Sequence, residues 1–76
     1  MNLYYLQQDE RDDWDTYDSM VVCAENEEKA KEIHPDGTWE FNDTWASKPE
    51  NVKCTYIGVA ANSVKEGIVC ASFNAG

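Results

Sequence analysis

Runs of apolar residues recur along the chain at lengths suited to strands and are separated by polar, turn-forming segments. Residues 3 to 7, Leu-Tyr-Tyr-Leu-Gln, are aromatic and aliphatic with no charge, which predicts a first strand. Ser19 to Ala24, Ser-Met-Val-Val-Cys-Ala, is β-branched at its centre and uncharged, the pattern of a central strand buried on both faces. Val52 to Val59 alternates, with Val52, Cys54 and Tyr56 on one side and Lys53, Thr55 and Ile57 on the other, and predicts a third strand. Gly67 to Phe73 is again charge-free and β-rich, and predicts a fourth strand joined to the third as a hairpin.

Between the second and third strands the pattern changes. Asn26 is a good helix N-cap, Glu27 and Glu28 suit the positive end of a helix dipole, and Lys29 and Lys31 follow toward its negative end. A short helix from Glu27 to about His34 is predicted, stopped by Pro35 and the turn signal Pro35-Asp36-Gly37. Residues 36 to 50 carry Trp39, Phe41 and Trp45 among acids and turn formers without a clean period, and read as an ordered loop holding at most one short strand. The whole is an α+β fold, β-β-α-β-β, with about four antiparallel strands and one short helix covering one sheet face.

Length allows one domain, residues 1–76, with a small core: a chain of this size buries only about 60% of the surface its unfolded form exposes. At 42% hydrophobic residues, the composition is too apolar for a disordered acidic tail. Charge changes the picture most. Fifteen Asp and Glu against six Lys and Arg give a net charge of −9, which repels nucleic acid and anionic membranes and attracts basic protein surfaces. The excess is uneven: residues 9–18 carry −5, residues 25–50 another −5, and residues 51–76 carry +1. Much of it is therefore solubilising loop and helix charge, presented by a nearly neutral final pair of strands.

Cys23, Cys54 and Cys70 lie in apolar runs at wide spacing, so neither a disulfide framework nor a zinc motif is indicated; they read as small core residues with free thiols. The first residues lack the basic start and long apolar segment of a signal peptide, and no apolar run reaches membrane-spanning length, so the expected compartment is cytoplasmic.

Catalysis has little support. Residues 9 to 18, Asp-Glu-Arg-Asp-Asp-Trp-Asp-Thr-Tyr-Asp, hold six carboxylates, but acid and base work needs carboxylates in a shaped, partly desolvated pocket, and this stretch reads as an exposed loop or hairpin. As a calcium loop from Asp13 it fails at the sixth position, Asp18 where glycine is required, and at the twelfth, Ala24 where glutamate is required. His34 is the only histidine, and its bland role at the carbonyl end of the helix outweighs a ligand role. No cofactor, metal or enzymatic activity is therefore expected.

A recognition role is better supported. Trp39 and Trp45 are expected to close the core, whereas Trp14 and Tyr17, flanked by Asp13, Asp15 and Asp18, suit exposed or half-exposed anchors surrounded by charge. The candidate partner-binding residues are Asp9, Glu10, Asp12, Asp13, Trp14, Asp15, Tyr17 and Asp18. If residues 13 to 17 were extended, Asp13 and Asp15 would project to one side about 6.7 Å apart, a short anionic ladder able to imitate a patch of DNA backbone.

Several segments resemble a set of small acidic proteins of tailed bacteriophages and prophages. They are Trp14-Asp15-Thr16-Tyr17-Asp18-Ser19 before the Val-Val strand, Ala24-Glu25-Asn26-Glu27-Glu28 into a helix ending Ile33-His34-Pro35, Tyr56-Ile57-Gly58, and the closing Ala71-Ser72-Phe73-Asn74-Ala75-Gly76. The likeness spans most of the chain apart from its middle loop, and Trp14 stands where the set has Tyr. What the resemblance implies is a context, the cytoplasm of an infected host, in which small accessory proteins bind and disable host factors, as anti-CRISPR and anti-restriction inhibitors do. The expected partner is a host protein or nucleoprotein complex with a basic surface, with no direct contact to nucleic acid or membrane, and the expected state is a monomer or small homo-oligomer. Two rival readings are an oligomeric sponge for a nucleotide signal, which six basic residues serve poorly, and a structural or regulatory phage component.

Overall fold

In the computed structural model, which describes residues 1–12 and 14–75, the alternating segments form four strands. β1 spans Asn2–Gln7, β2 Thr16–Ala24, β3 Lys53–Val59 and β4 Gly67–Asn74; one helix, α1, occupies Glu27–Glu32, and a 3-10 turn Pro49–Asn51. The architecture is the expected one, a four-stranded antiparallel sheet with a single short helix. Residues 36–48 form no strand.

The strand order is β3-β1-β2-β4, every neighbouring pair antiparallel. The expected hairpin of the last two strands is therefore not formed: β3 and β4 lie on opposite edges. β1 and β2 hold the centre because they supply the side chains that must be enclosed, Leu6, Met20 and Val22, all at 2% exposure or less. The connection Ala60–Glu66 crosses the end of the sheet. Three inter-strand spacings amount to about 14 Å, and seven residues reach about 23 Å, so the crossing needs no second layer.

Register decides which side is buried. Tyr4 pairs with Val22 and Leu6 with Met20, so all four face the same way, and Leu6 pairs with Cys54 on the other side. Against this face pack Ala30 of α1 and Trp45, Ala46 and Val52 of the long loop, with Ile33 and Trp39 at the margin. Trp45 is fully enclosed, as expected, and Trp39 half-buried. The opposite face carries Leu3, Tyr5 and Val21 half-buried, so β2 is not enclosed on both sides along its length. Only its end is: Cys23 is fully buried beneath the 60–66 crossing, its Sγ 4.0 Å from the Val64 carbonyl.

The cysteines separate accordingly. Cys23 is buried, Cys54 half-buried and Cys70 exposed, so Cys70 is not the core residue its apolar run suggests; it sits on an edge strand whose residues, apart from half-buried Gly67 and Asn74, are exposed. Burial, with the Glu27 carboxylate next, pushes the Cys54 thiol up.

α1 begins as predicted, Asn26 Oδ1 accepting from the Lys29 N–H at 2.9 Å, but ends at Glu32 rather than near His34. His34 precedes proline, which disfavours helical backbone there. It is buried instead among the loop it helps to fold. The Asp36 N–H donates to its Nδ1 at 3.0 Å, which leaves the proton on Nε2 to donate to Asn42 Oδ1 at 2.8 Å. Asn42 completes the clamp by accepting from the Trp45 N–H and donating to the Ala46 carbonyl at 2.6 Å.

Candidate partner-binding end of the sheet

β1 and β2 are joined by residues 8–15, and this connection holds most of the candidate binding residues. Its shape comes from Gln8, 7% exposed. Gln8 Oε1 accepts from the Glu10 and Arg11 N–H groups, each at 2.9 Å, and Nε2 donates to the Arg11 carbonyl at 2.7 Å and the Tyr17 carbonyl at 2.8 Å. One amide thus satisfies both ends of the loop with all its donors and acceptors in use. A carboxylate here would put oxygen against two carbonyls.

Arg11 is the only cation of the acidic stretch, and it is turned inward. Its Nε donates to the Trp45 carbonyl at 2.7 Å and Nη2 to the Asn42 carbonyl at 3.4 Å. With the Tyr17 N–H donating to the Thr44 carbonyl at 2.9 Å, these bonds draw the 42–45 segment against the hairpin, so that exposed Asp43 joins the acidic end. Arg11 satisfies backbone dipoles and leaves the surface carboxylates in solvent.

The sequence-predicted residues divide by what they do. Asp9 pairs with Lys53 at 3.0 Å, both well exposed, a contact worth little in water. Glu10 is a loop tie: its carboxylate accepts from the Ser47 N–H at 3.1 Å and Oγ–H at 3.3 Å. Hydrogen bonding from the Ser47 hydroxyl first, then from the Asn51 side chain and the Ser47 N–H, holds its carboxyl below the ordinary glutamate value. Tyr17 is half-buried against the core and meets Phe73 edge to face, ring centroids 4.8 Å apart; burial, followed by the Asp36 carboxylate, raises its phenol. Its ring is therefore largely committed within the fold. Asp12, Trp14, Asp15 and Asp18 stand exposed, and Asp13 lies outside the described residues.

The extended backbone that a ladder of Asp13 and Asp15 requires is absent at Trp14 and Asp15. Trp14 and Asp15 form a turn, and Asp15 has φ 63°, a left-handed conformation that Asp tolerates. The turn presents Trp14 at 69% exposure. Phe41 has the same character, at 92% exposure with φ 57°, costly for an aromatic residue. Sequence reasoning placed Phe41 only within an ordered loop, although its setting, Glu40-Phe41-Asn42-Asp43, is the acid-flanked pattern that singled out Trp14. Gln8 and Asn42 gave no signal, because an amide that organises a loop looks like any surface amide.

Among the described residues no group of His, Cys, Asp and Glu is placed to hold a metal ion, and no helix is long and apolar enough to cross a membrane. The basic residues are scattered: Lys29 lies 3.9 Å from Glu25, Lys53 is at Asp9, and Lys31 lines a shallow depression with Glu28, Glu32 and Glu50. No protein-family model, characterised protein or solved structure matches the chain.

Proposed function

We propose that this protein acts by binding and not by catalysis, docking its acidic hairpin end on a basic, nucleic-acid-gripping surface of a host protein or nucleoprotein complex and so blocking it. One observation carries the reading: Arg11 is folded back onto the Trp45 and Asn42 carbonyls while Asp12, Asp15 and Asp18 face solvent beside exposed Trp14. Carboxylates so arranged steer a cationic surface and set register, and the indole supplies contact area. The resemblance to small phage proteins supplies the setting, an antidefence inhibitor working in the host cytoplasm. The nucleotide-sponge alternative is disfavoured because the lysines described above stand beside carboxylates, and an anionic ligand needs a cationic cluster.

The test is parallel affinity capture from a bacterial host lysate at low salt, using the wild-type chain and a variant combining Asp12→Asn, Asp15→Asn and Asp18→Asn. A nucleic-acid-binding protein should be retained by the wild type, released by rising salt, displaced by added DNA duplex and lost from the variant. Retention indifferent to both salt and the triple substitution would refute the reading.

A further inference from the structure

The long loop between α1 and β3 is closed by one imidazole. His34 is 4% exposed, and both ring nitrogens are committed: Nδ1 accepts from the Asp36 N–H at 3.0 Å, and Nε2–H donates to Asn42 Oδ1 at 2.8 Å. Trp39 lies edge to face on the ring, centroids 4.8 Å apart, and its indole N–H donates to the Glu32 carbonyl at 2.8 Å. Through Asn42 the ring is linked to the Trp45 N–H and the Ala46 carbonyl, and the Asn42 carbonyl accepts from Arg11. Phe41, next to Asn42, is thereby held at φ 57°, a conformation that costs an aromatic residue free energy and is relieved when the loop lets go.

This arrangement has room for one ring proton. An imidazolium donates from both nitrogens, so a second proton would aim Nδ1–H at the Asp36 N–H and leave that amide without its acceptor. No described carboxylate forms an ion pair with the ring. Asp36 is exposed and turns its carboxylate to the Thr44 hydroxyl, at 2.5 Å, and to the Tyr17 phenol. Glu32 meets Trp39 through its carbonyl, while its side chain lines the depression beside Lys31. Glu40 and Asp43 are exposed, and the charge that touches Asn42, Arg11, is itself a cation. A cation enclosed without a carboxylate partner is unfavourable.

We propose that His34 is a proton-operated latch. With its ring neutral it holds residues 35–46 against the hairpin; on protonation the loop opens and carries Phe41 and Asp43 away from the acidic end. The open loop binds one proton more than the closed loop, so closure weakens as pH falls. His34 is the only histidine, and no other ordinary side chain changes charge between about pH 7.5 and 5.5. The latch is independent of what the acidic end binds.

Amide exchange followed by NMR on the intact chain, expressed as protection relative to an unstructured peptide, tests this. One proton taken up on opening favours the open loop by up to about tenfold per pH unit, in the range below about 6.5 where a solvent-exposed imidazole is protonated. Protection at Asp36 and Trp45 should fall by that factor as the ring nitrogen shifts report protonation of Nδ1, while the amides of β1 keep theirs. His34→Asn retains an oxygen for the Asp36 N–H but takes up no proton, and its protection should be lower yet flat across the series. If that variant does not fold, the ring and amide signals of the wild type decide alone. Constant protection at Asp36, ring protonation with the Asp36 bond intact, or an equal pH-dependent loss in His34→Asn would overturn the proposal.

Discussion

Replacing Gln8 by Ala removes four hydrogen bonds: two accepted from the Glu10 and Arg11 N–H groups and two donated to the Arg11 and Tyr17 carbonyls. A protein hydrogen bond is worth about 0.5 to 1.5 kcal/mol net, which bounds the loss at about 2 to 6 kcal/mol. The lower part of that range applies, because the loop is partly exposed and water can replace some partners once it loosens. We expect a loss of about 2 to 3 kcal/mol, against a total stability on the order of 4 to 11 kcal/mol for a chain of this length. In urea, with a slope near 1 kcal/mol per molar for so small a domain, the midpoint should fall by about 2 M or more. Amide exchange at Glu10 and Arg11 should accelerate with it. Gln8→Glu is the sharper variant, since it preserves size but aims a carboxylate oxygen at two carbonyls. It should be at least as destabilising at neutral pH and recover in part on acidification, when the protonated acid regains one donor. A midpoint shift below about 0.5 M, with exchange at Glu10 and Arg11 unchanged, would refute the assignment of Gln8 as the organiser of the acidic loop.

Glu10 should titrate below the ordinary glutamate value of 4.5. Its folded-state affinity for protons is the weaker, so its contribution to stability is present above that value and lost as pH falls through the lowered one. Carboxyl NMR should find the depressed midpoint in the wild type and a value moved back toward 4.5 in Ser47→Ala; an unshifted midpoint in both would reject the tie. Trp45 is fully enclosed, yet its indole Nε1–H has no hydrogen-bond partner among the described residues. Trp45→Ala should cost about 3 to 5 kcal/mol through the cavity it leaves, whereas Trp45→Phe should cost far less, because it also removes a buried donor left unpaired. Equal losses in thermal or urea unfolding would contradict that account.

The strands were legible because alternation and charge-free runs report directly on burial in a sheet: Leu6, Met20 and Val22 sit where the period puts them. Strand order was not legible in the same way. Two runs seven residues apart look like a hairpin, and only the demand that Leu6 and Val22 be flanked on both sides explains why β3 and β4 go to opposite edges. The same shortfall misplaced Cys70, whose neighbours Val69 and Ala71 read as core but belong to an edge. In the acidic end, composition located the exposed carboxylates, but their division into ties and free faces depends on contacts far along the chain, Glu10 with Ser47 and Arg11 with Trp45. Such pairings leave no local trace.

Ionic strength tests the docking face directly. Docking of Asp12, Asp15 and Asp18 on a cationic partner weakens as salt rises, and Arg11, turned onto the Trp45 and Asn42 carbonyls, does not offset that face. A salt series of binding by the wild type should therefore fall steeply, whereas a chain carrying Asp12→Asn, Asp15→Asn and Asp18→Asn should bind weakly throughout and respond little to salt. Equal salt slopes in the two chains would refute the placement of the docking face on these carboxylates.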